Sequence, residues 1–362
     1  MRNQGIDWNM TDKQETFTGV KEVQSHLRLD TKKLEKWLVA NVDGFTQPFE
    51  MHEFRGGQSN PTYQLSTDVA KYVLRRKPPG ELLPSAHAVD REYRVISALY
   101  KNSFPVPKTF AMCTDNDVIG SIFYVMEMVE GRIFWDLSLP SMGAKERTEI
   151  YGSLVEKMAL LHSLDFKKTG LGDFGKTRDY MARQIHRWTK IYRASETEEI
   201  PLMNKLNEWL PKNIPAKDET CIIHGDFRLD NTIVDPIENK IIAVLDWELS
   251  TLGHPIGDFI YSMAPWFIPS VDEKISSLEG LDLPSLGIPT AEEYIESYCR
   301  VSGRGEIENL DFYKTYTVWR LAAIYQGIIK RGLDGTAASS DAPTSTFIVK
   351  QFAERAGAYA GI

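Results

Sequence analysis

The stretch that decides the fold runs from residue 221 to residue 248 and reads CIIHGDFRLDNTIVDPIENKIIAVLDWE. It contains two apolar runs, residues 232–234 and 241–245, which are separated by a turn rich in Asp, Pro and Asn. Two apolar runs joined by such a turn are typical of a β-hairpin. Because the two ends of a hairpin meet, the sequence predicts that Asp246 returns beside Asn231.

The polar side chains of this stretch are suited to phosphoryl transfer. Asp226 lies in the loop five residues before Asn231, so we expect Asp226, Asn231 and Asp246 at one mouth. Phosphoryl transfer needs a carboxylate to hold the acceptor hydroxyl, and it needs oxygen ligands for Mg²⁺. Asp226 would orient the hydroxyl oxygen and accept its proton. The alternative is a polar loop in which Asp226 and Asn231 only cap turns.

The spacing in this stretch matches the catalytic loop of protein kinases. That loop has His-x-Asp followed five residues later by Asn, and here it reads His224-Gly225-Asp226 with Asn231, Gly replacing the usual Arg. Asp246 occupies the place of the metal-binding Asp, with Trp-Glu where protein kinases have Phe-Gly. Since the kinase scheme gives its His no proton-transfer role, we expect His224 to be structural and to hydrogen-bond the backbone.

Three stretches, residues 56–63, 74–80 and 246–253, extend this likeness beyond the catalytic loop. With them the chain resembles the aminoglycoside phosphotransferase family, which belongs to the protein-kinase-like superfamily together with the choline kinases. The resemblance covers nearly all of the chain after residue 30, and it is strongest to the kinase-like domain that precedes the dehydrogenase in certain acyl-CoA dehydrogenase fusions. It implies ATP and Mg²⁺ as cofactors, with Asp226 as catalytic base and Asn231 and Asp246 as metal ligands.

Asp258 also resembles a family residue, the later Asp that braces the catalytic loop. A second interpretation is an ordinary N-cap for a helix that begins at Phe259.

A polar turn upstream of this block is the candidate nucleotide loop. Glycine lets backbone N–H groups approach phosphates closely. The predicted loop residues are Gly56, Gly57, Ser59 and Asn60.

Arg75 occupies the position at which kinases carry a strand Lys that pairs with a helix Glu. Glu92 on the following predicted helix is the expected partner. Arg keeps the charge and adds bidentate geometry, so we expect phosphate binding to persist. Arg76 or Lys77 could substitute, although strand alternation directs Arg76 to the opposite face. The alternative for Arg75 is a solvent-facing charge on an edge strand.

Residues 124–128 resemble the hinge between kinase lobes, where the backbone of Glu127 and Met128 would bind the adenine. An apolar strand at the end of a sheet is the plainer interpretation.

The predicted fold is α+β, protein-kinase-like and two-lobed. Residues 1–29 form a polar N-terminal arm. Residues 30–129 form a nucleotide-binding N-lobe, a small antiparallel sheet with one main helix. Residues 130–362 form a larger, mostly helical C-lobe that is catalytic and binds the acceptor.

Composition limits the location and the partners. The chain has 362 residues, with 42 Lys and Arg against 50 Asp and Glu, a net charge of −8. This balance disfavours nucleic acid and is too mild to require a cationic partner. The three cysteines lack a CxxC pair and no apolar run approaches 18 residues, which favours a cytoplasmic protein without a membrane segment.

The predicted function is therefore a small-molecule kinase. Three acceptor classes stay open: a hydroxyacyl compound or its CoA thioester, an antibiotic such as an aminoglycoside or macrolide, and a simple amino alcohol. The absence of an activation loop ending in Ala-Pro-Glu argues against a protein substrate. A nucleotide-binding module without catalysis is the alternative of another class, since Arg replaces the usual Lys.

Overall fold

The structure is a computed structural model, and it describes residues 14, 16–55, 60–78, 88–270, 277–336 and 345–362. The predicted loop residues Gly56, Gly57 and Ser59 lie outside the described residues. Of the helices in this described part, none combines the length and the apolar character needed to cross a bilayer.

The described strands are β1 (Val20–Lys21), β2 (Phe49–Phe54), β3 (Thr62–Thr67), β4 (Lys71–Arg76), β5 (Thr109–Cys113), β6 (Phe123–Glu127), β7 (Cys221–Ile223), β8 (Thr232–Val234), β9 (Ile241–Val244) and β10 (Thr251–Gly253). The described α-helices are α1 (Thr31–Asn41), α2 (Val89–Lys101), α3 (Asn116–Ile119), α4 (Ala144–Ser163), α5 (Tyr180–Ser195), α6 (Pro201–Trp209), α7 (Pro255–Ser262), α8 (Leu283–Leu286), α9 (Ala291–Ser302), α10 (Leu310–Leu333) and α11 (Phe347–Ala360).

The chain divides into two compact units that are each discontinuous in sequence. The first contains residues 1–141, 169–171 and 228–250, and the second contains residues 142–168, 172–227 and 251–362. The lobe boundary between residues 129 and 130 stays a prediction, because a unit defined by contacts need not coincide with a lobe.

The first unit is built on an antiparallel sheet of order β1-β2-β3-β4-β6-β5. Strands β2 to β6 form the small antiparallel sheet that was predicted for the N-lobe, whereas β1 was not predicted, since it is two residues long within a polar arm. Helix α1 begins after Asp30, whose side chain accepts a hydrogen bond from the Lys33 N–H as an N-cap. Leu34 and Leu38 of α1 pack into the core beneath the sheet.

The predicted hairpin is present in the first unit. Thr232 of β8 pairs with Val244 of β9, and the Leu245 N–H donates to the Asn231 carbonyl over 2.8 Å. The two ends of the hairpin therefore meet as predicted, and Asp246 follows directly after the closing hydrogen bond.

The second unit is mainly helical. Its long helix α10 is buried on most sides and packs against α5, α7 and α11, while α4 packs against α9. A small ladder, β7 with β10, places Ile223 opposite Thr251 just before the catalytic-loop sequence. The first unit combines an antiparallel sheet with helices α1 and α2, one more long helix than predicted, and the second unit is mainly helical. This architecture confirms the α+β class.

Gly131 tests how tightly the hairpin packs. A Cβ at this position would collide with the Ile233 side chain and lie 2.5 Å from the Val234 carbonyl oxygen, a backbone atom that cannot yield. We expect Gly131→Ala to destabilise the protein by about 1–3 kcal/mol. Gly152→Ala is the control, since nothing lies within 4 Å of its Cβ position on α4, and it should stabilise by up to about 1 kcal/mol. Urea unfolding measures both, and equal midpoints would contradict the packing argument.

Candidate active site

One guanidinium group lies among three carboxylates of the first unit. Arg75 Nε donates to Glu92 Oε2 over 2.9 Å, and Arg75 Nη2 donates to Asp246 Oδ1 over 2.7 Å. The Glu248 carboxylate lies 3.7 Å from the same Nη2. The predicted Arg75–Glu92 pair is therefore present, and the alternative of a solvent-facing charge is wrong because Arg75 is only 8% exposed.

The local sequence explains why these groups meet. Arg75 lies on β4 between β3 and β6, in register with Thr62 and Tyr124, so it is interior to the sheet and not on an edge. Glu92 lies in the first turn of α2, where a negative charge is favourable. Trp247 is buried against Phe104, which anchors the segment that carries Asp246.

Arg76 and Arg75 lie on opposite faces of β4. The Arg76 Nη1 donates to the Ile119 carbonyl over 3.5 Å, and its charge acts on the Tyr63 phenol. Arg76 therefore belongs to the face of the sheet that was predicted for it, away from the Arg75 carboxylates.

Burial sets the protonation of Glu92. Because its carboxyl is desolvated, and because Asp246 and Glu248 add negative charge, the pKa of Glu92 is raised to about 7, although Arg75 acts to lower it. Burial also disfavours the charge on Arg75, but Glu92 and the other acidic neighbours outweigh it and raise the Arg75 pKa above its usual range.

Glu248 was not predicted as a site residue, although it ends the Asp-Trp-Glu motif. Its Oε2 accepts a hydrogen bond from Asn60 Nδ2 over 3.3 Å. Asn60, at the described end of the predicted nucleotide loop, is 1% exposed. Glu248 thus connects this loop to the Arg75 cluster, and the acidic third residue of the motif was the signal that could have identified it.

Asn231 and Asp246 supply the oxygen donors that were predicted to hold a metal. The hairpin ends carry both residues, and the Asp246 side chain is 34% exposed. Asp246 has a φ of 61°, a left-handed conformation that is uncommon outside glycine. An amide oxygen and a partly exposed carboxylate are hard ligands of the kind that Mg²⁺ takes alongside phosphates, so the donor set fits this ion.

Residues 224–226 of the catalytic-loop sequence belong to the second unit, where Asp258 fixes their turn. Asp258 Oδ2 accepts from the His224 N–H and Oδ1 from the Gly225 N–H, both over 2.9 Å. Gly225 has a φ of 87°, which favours glycine. Helix α7 begins at Pro255 with His254 as N-cap, so the N-cap interpretation of Asp258 is wrong.

His224 is fully buried, and its Nδ1 accepts from the Asp226 backbone N–H over 3.2 Å. This is a contact between the His side chain and the backbone, as expected for a structural residue. The predicted approach of Asp226 to Asn231 and Asp246 stays a prediction.

A further buried histidine, which was not predicted from the sequence, contacts the Asp258 carboxylate. His162 Nε2 lies 3.3 Å from Asp258 Oδ2, and His162 Nδ1 lies 2.7 Å from the Tyr298 hydroxyl. Burial acts to raise the pKa of Asp258, but the hydrogen bond from His162 and the N–H of His224 lower it overall. Its place in the apolar stripe of α4 made His162 indistinguishable from a core residue in the sequence.

The predicted hinge residues lie at the end of β6. Glu127 is exposed, and its N–H donates to the Lys108 carbonyl over 2.8 Å while its Oε2 accepts from the Lys108 N–H over 3.1 Å. Met128 follows β6 directly and is half-buried. Both positions are compatible with the plainer interpretation, a strand that ends a sheet, and their contact with adenine stays a prediction.

Comparison with known proteins places these residues in a family context. The model of the phosphotransferase enzyme family (APH) matches residues 50–300. The chain is 42% identical over 339 residues to acyl-CoA dehydrogenase family member 10 of Mus musculus, covering 93% of this chain and 32% of that protein. It is 43% identical over 339 residues to acyl-CoA dehydrogenase family member 11 of Homo sapiens, covering 92% and 43%. The chain therefore spans less than half of the length of these curated relatives.

A solved structure resembles most of the chain. This protein from Ralstonia eutropha, provisionally described as an aminoglycoside phosphotransferase, is 45% identical, with a TM-score of 0.84 and coverage of 92% of this chain and 99% of that one.

The Glu92 carboxyl gives the site a measurable pH dependence. Folded Glu92 holds its proton up to about pH 7, whereas unfolded Glu loses it near pH ~4.3. The stability contributed by the protonated form is therefore complete below about pH 4 and lost as the pH rises through about 7. Relative to Glu92→Gln, the wild-type free energy of unfolding should fall by up to about 3 kcal/mol over this interval.

Chemical unfolding at a series of pH values measures this difference. Glu156→Gln, which removes an exposed carboxylate on α4, should follow the wild-type curve. A difference between wild type and Glu92→Gln that is independent of pH would contradict the assignment.

Proposed function

Because the chain belongs to the phosphotransferase enzyme family, we propose that it transfers the γ-phosphate of ATP, with Mg²⁺, to a hydroxyl group of a small molecule. The matching family model confirms the family predicted from the sequence. The chain is a phosphotransferase with an alcohol group as acceptor. The observation that carries the ATP and Mg²⁺ proposal is the single guanidinium of Arg75, which contacts both Glu92 and Asp246.

Arg75 is the proposed phosphate-binding cation. Its Nε is occupied by Glu92, which holds the guanidinium in place, as a helix Glu holds the strand Lys in kinases. The planar fork of Arg suits the oxygens of a phosphate. Gly56, Gly57, Ser59 and Asn60 are proposed to add backbone and side-chain donors, and Glu127 and Met128 to bind the adenine.

Asn231 and Asp246 are proposed to hold Mg²⁺. When bound, the ion neutralises the charge that develops on the transferred phosphoryl group. The backbone hydrogen bond between Leu245 and Asn231 brings the two ends of the hairpin together, which supports this proposal.

Asp226 is proposed to be the catalytic base. It would hold the acceptor hydroxyl in line with the γ-phosphate and accept the hydroxyl proton as the new P–O bond forms, the bond between the γ-phosphorus and the β–γ bridging oxygen breaks, and ADP leaves. The double hydrogen bond from the His224 and Gly225 N–H groups to Asp258 supports this role, because it fixes the turn directly before Asp226.

The proposed acceptor is a hydroxyacyl compound or its CoA thioester. The support is the identity of 42% and 43% to proteins named as acyl-CoA dehydrogenases. An aminoglycoside is the second candidate, favoured by the description of the 45% identical Ralstonia eutropha protein. A panel of hydroxy acids, their CoA thioesters and kanamycin is therefore the suitable acceptor set.

Asp226→Asn is the direct test of catalysis. The amide cannot accept the proton, so transfer to any acceptor of the panel should fall by about 10²–10⁴-fold, while ATP binding stays near wild type. ADP release measures the transfer, and calorimetry measures ATP binding.

Asp165→Asn is the matched control. Asp165 is exposed, and its Oδ1 accepts hydrogen bonds from the backbone N–H groups of Lys167 and Lys168, which an amide oxygen can accept as well. Near-normal turnover in Asp226→Asn would refute the kinase assignment.

Arg75→Gln tests which cation binds the phosphates. We expect the KM for ATP to rise by at least about 10-fold, because a charge-assisted contact to phosphate is lost. Lys77→Gln is the control at a neighbouring cation and should change the KM for ATP less than about 2-fold. The reverse order of the two effects would transfer the role to Lys77.

A further inference from the structure

A buried arginine in the second unit has no acidic partner among the residues that the structure describes. Arg320 lies on α10 and is only 9% exposed. Among the described residues, no carboxylate lies within 4.0 Å of its guanidinium, and its Nε makes no hydrogen bond. A buried charge without a partner is costly, and buried charges are ordinarily paired.

Two aromatic rings flank this guanidinium. Its Cζ lies 4.0 Å from the Tyr261 ring centroid and 5.3 Å from that of Trp188. Both rings belong to half-buried residues, on α7 and α5. The Trp188 Nε1 is buried and has no hydrogen-bond acceptor in the described part of the chain. The cation–π contacts offset part of the cost of burial, about 1–2 kcal/mol each at most, but they leave the Arg320 Nε without a hydrogen-bond acceptor among the described residues.

The helix beside Arg320 adds positive charge. Helix α5 has no Asp or Glu, in a chain whose net charge is −8. Its basic residues are Arg183, Arg187, Lys190 and Arg193. Arg187 lies 6.0 Å from the Trp188 ring, one of the two rings that flank Arg320.

We propose that Arg320, beneath the Trp188 and Tyr261 rings, binds an oxyanion of the phosphate acceptor. The inference rests on the proposed function and narrows its substrate class. The guanidinium supplies a planar set of donors for a carboxylate or phosphate, the Trp188 Nε1 supplies another, and the rings can cover the adjoining apolar part of the acceptor. A polycationic aminoglycoside would meet like charge at Arg320 and the basic residues of α5, so an anionic hydroxy compound is the class that fits.

An electrostatic interaction connects Arg320 to the residue that braces the catalytic loop. Asp258, which fixes the turn before Asp226, is among the groups that raise the pKa of Arg320 against the effect of its burial, after Tyr261, Tyr316 and Tyr180. Helix α7 carries both Asp258 and Tyr261, so it links the ring contact of Arg320 to the residue that braces the loop.

Binding of defined probes tests the proposal. The probes are 3-hydroxyhexanoic acid, its methyl ester, its CoA thioester and its N-acetylcysteamine thioester, with kanamycin as the cationic comparison. Calorimetry with the full chain measures each Kd, and ADP release measures transfer. Binding of the acid but not of the methyl ester assigns the oxyanion to a carboxylate, whereas binding of the CoA thioester but not of the neutral thioester assigns it to a phosphate.

Arg320→Lys and Arg320→Gln should weaken binding of the anionic probe by about 10–100-fold and raise its KM by a similar factor. The KM for ATP and the midpoint of thermal unfolding should stay near wild type in Arg320→Lys, which separates binding from folding. Arg331→Gln, an exposed arginine on the same helix, is the control.

The outcomes separate this inference from the proposed function. Transfer to an anionic acceptor with an unchanged KM in both Arg320 variants would overturn the inference alone. Absence of transfer to every probe would refute the proposed function, and loss of anion binding in the Arg320 variants would then still support the oxyanion site. Equal binding of charged and neutral probes, or tighter binding of kanamycin, would overturn the inference that Arg320 binds an oxyanion of the acceptor.

Discussion

The first unit depends on one constraint, the sharing of a single guanidinium among three carboxylates. Arg75 contacts Glu92 and Asp246 directly and Glu248 more distantly, so the fully ionised cluster carries a net charge of −2. Such an excess raises the pKa of the most deeply buried member, Glu92. It also favours a further cation near Asp246, the most exposed member, which is where the donor set fits Mg²⁺.

The constraint explains why arginine suits the position where kinases use lysine. A lysine ammonium is one point charge at the end of a flexible stem, whereas guanidinium presents nitrogens in different directions. Here Nε is directed to Glu92 and Nη2 to Asp246 and Glu248. The Glu of Asp-Trp-Glu adds a carboxylate that Asp-Phe-Gly lacks. Arg75, which replaces the kinase Lys, compensates this additional negative charge.

Sequence reasoning predicted the features that depend on local pattern. The hairpin β8–β9 followed from two apolar runs and a turn, and the Arg75–Glu92 pair followed from motif order. It missed His162 and Arg320, because a polar residue in an apolar helix stripe gives no signal of its partner. Long-range contacts decide such cases: His162 lies 96 residues from Asp258. For Asp258 the local pattern allowed both a cap and a brace, and only the tertiary contacts to His224 and Gly225 separated them.

The net charge of −8 is a poor guide to the ligand because the charges are segregated along the chain. The acidic excess at Arg75 is concentrated on groups that face a proposed metal and phosphates, whereas α5 is purely basic. A cationic acceptor inferred from the overall charge would thus rest on carboxylates that already have other partners. The relevant quantity is the local balance of charge around each group. Arg320 carries a buried positive charge and has aromatic neighbours. No carboxylate of the described residues lies within ion-pair distance of it. This balance favours an anionic acceptor in a chain that is acidic overall.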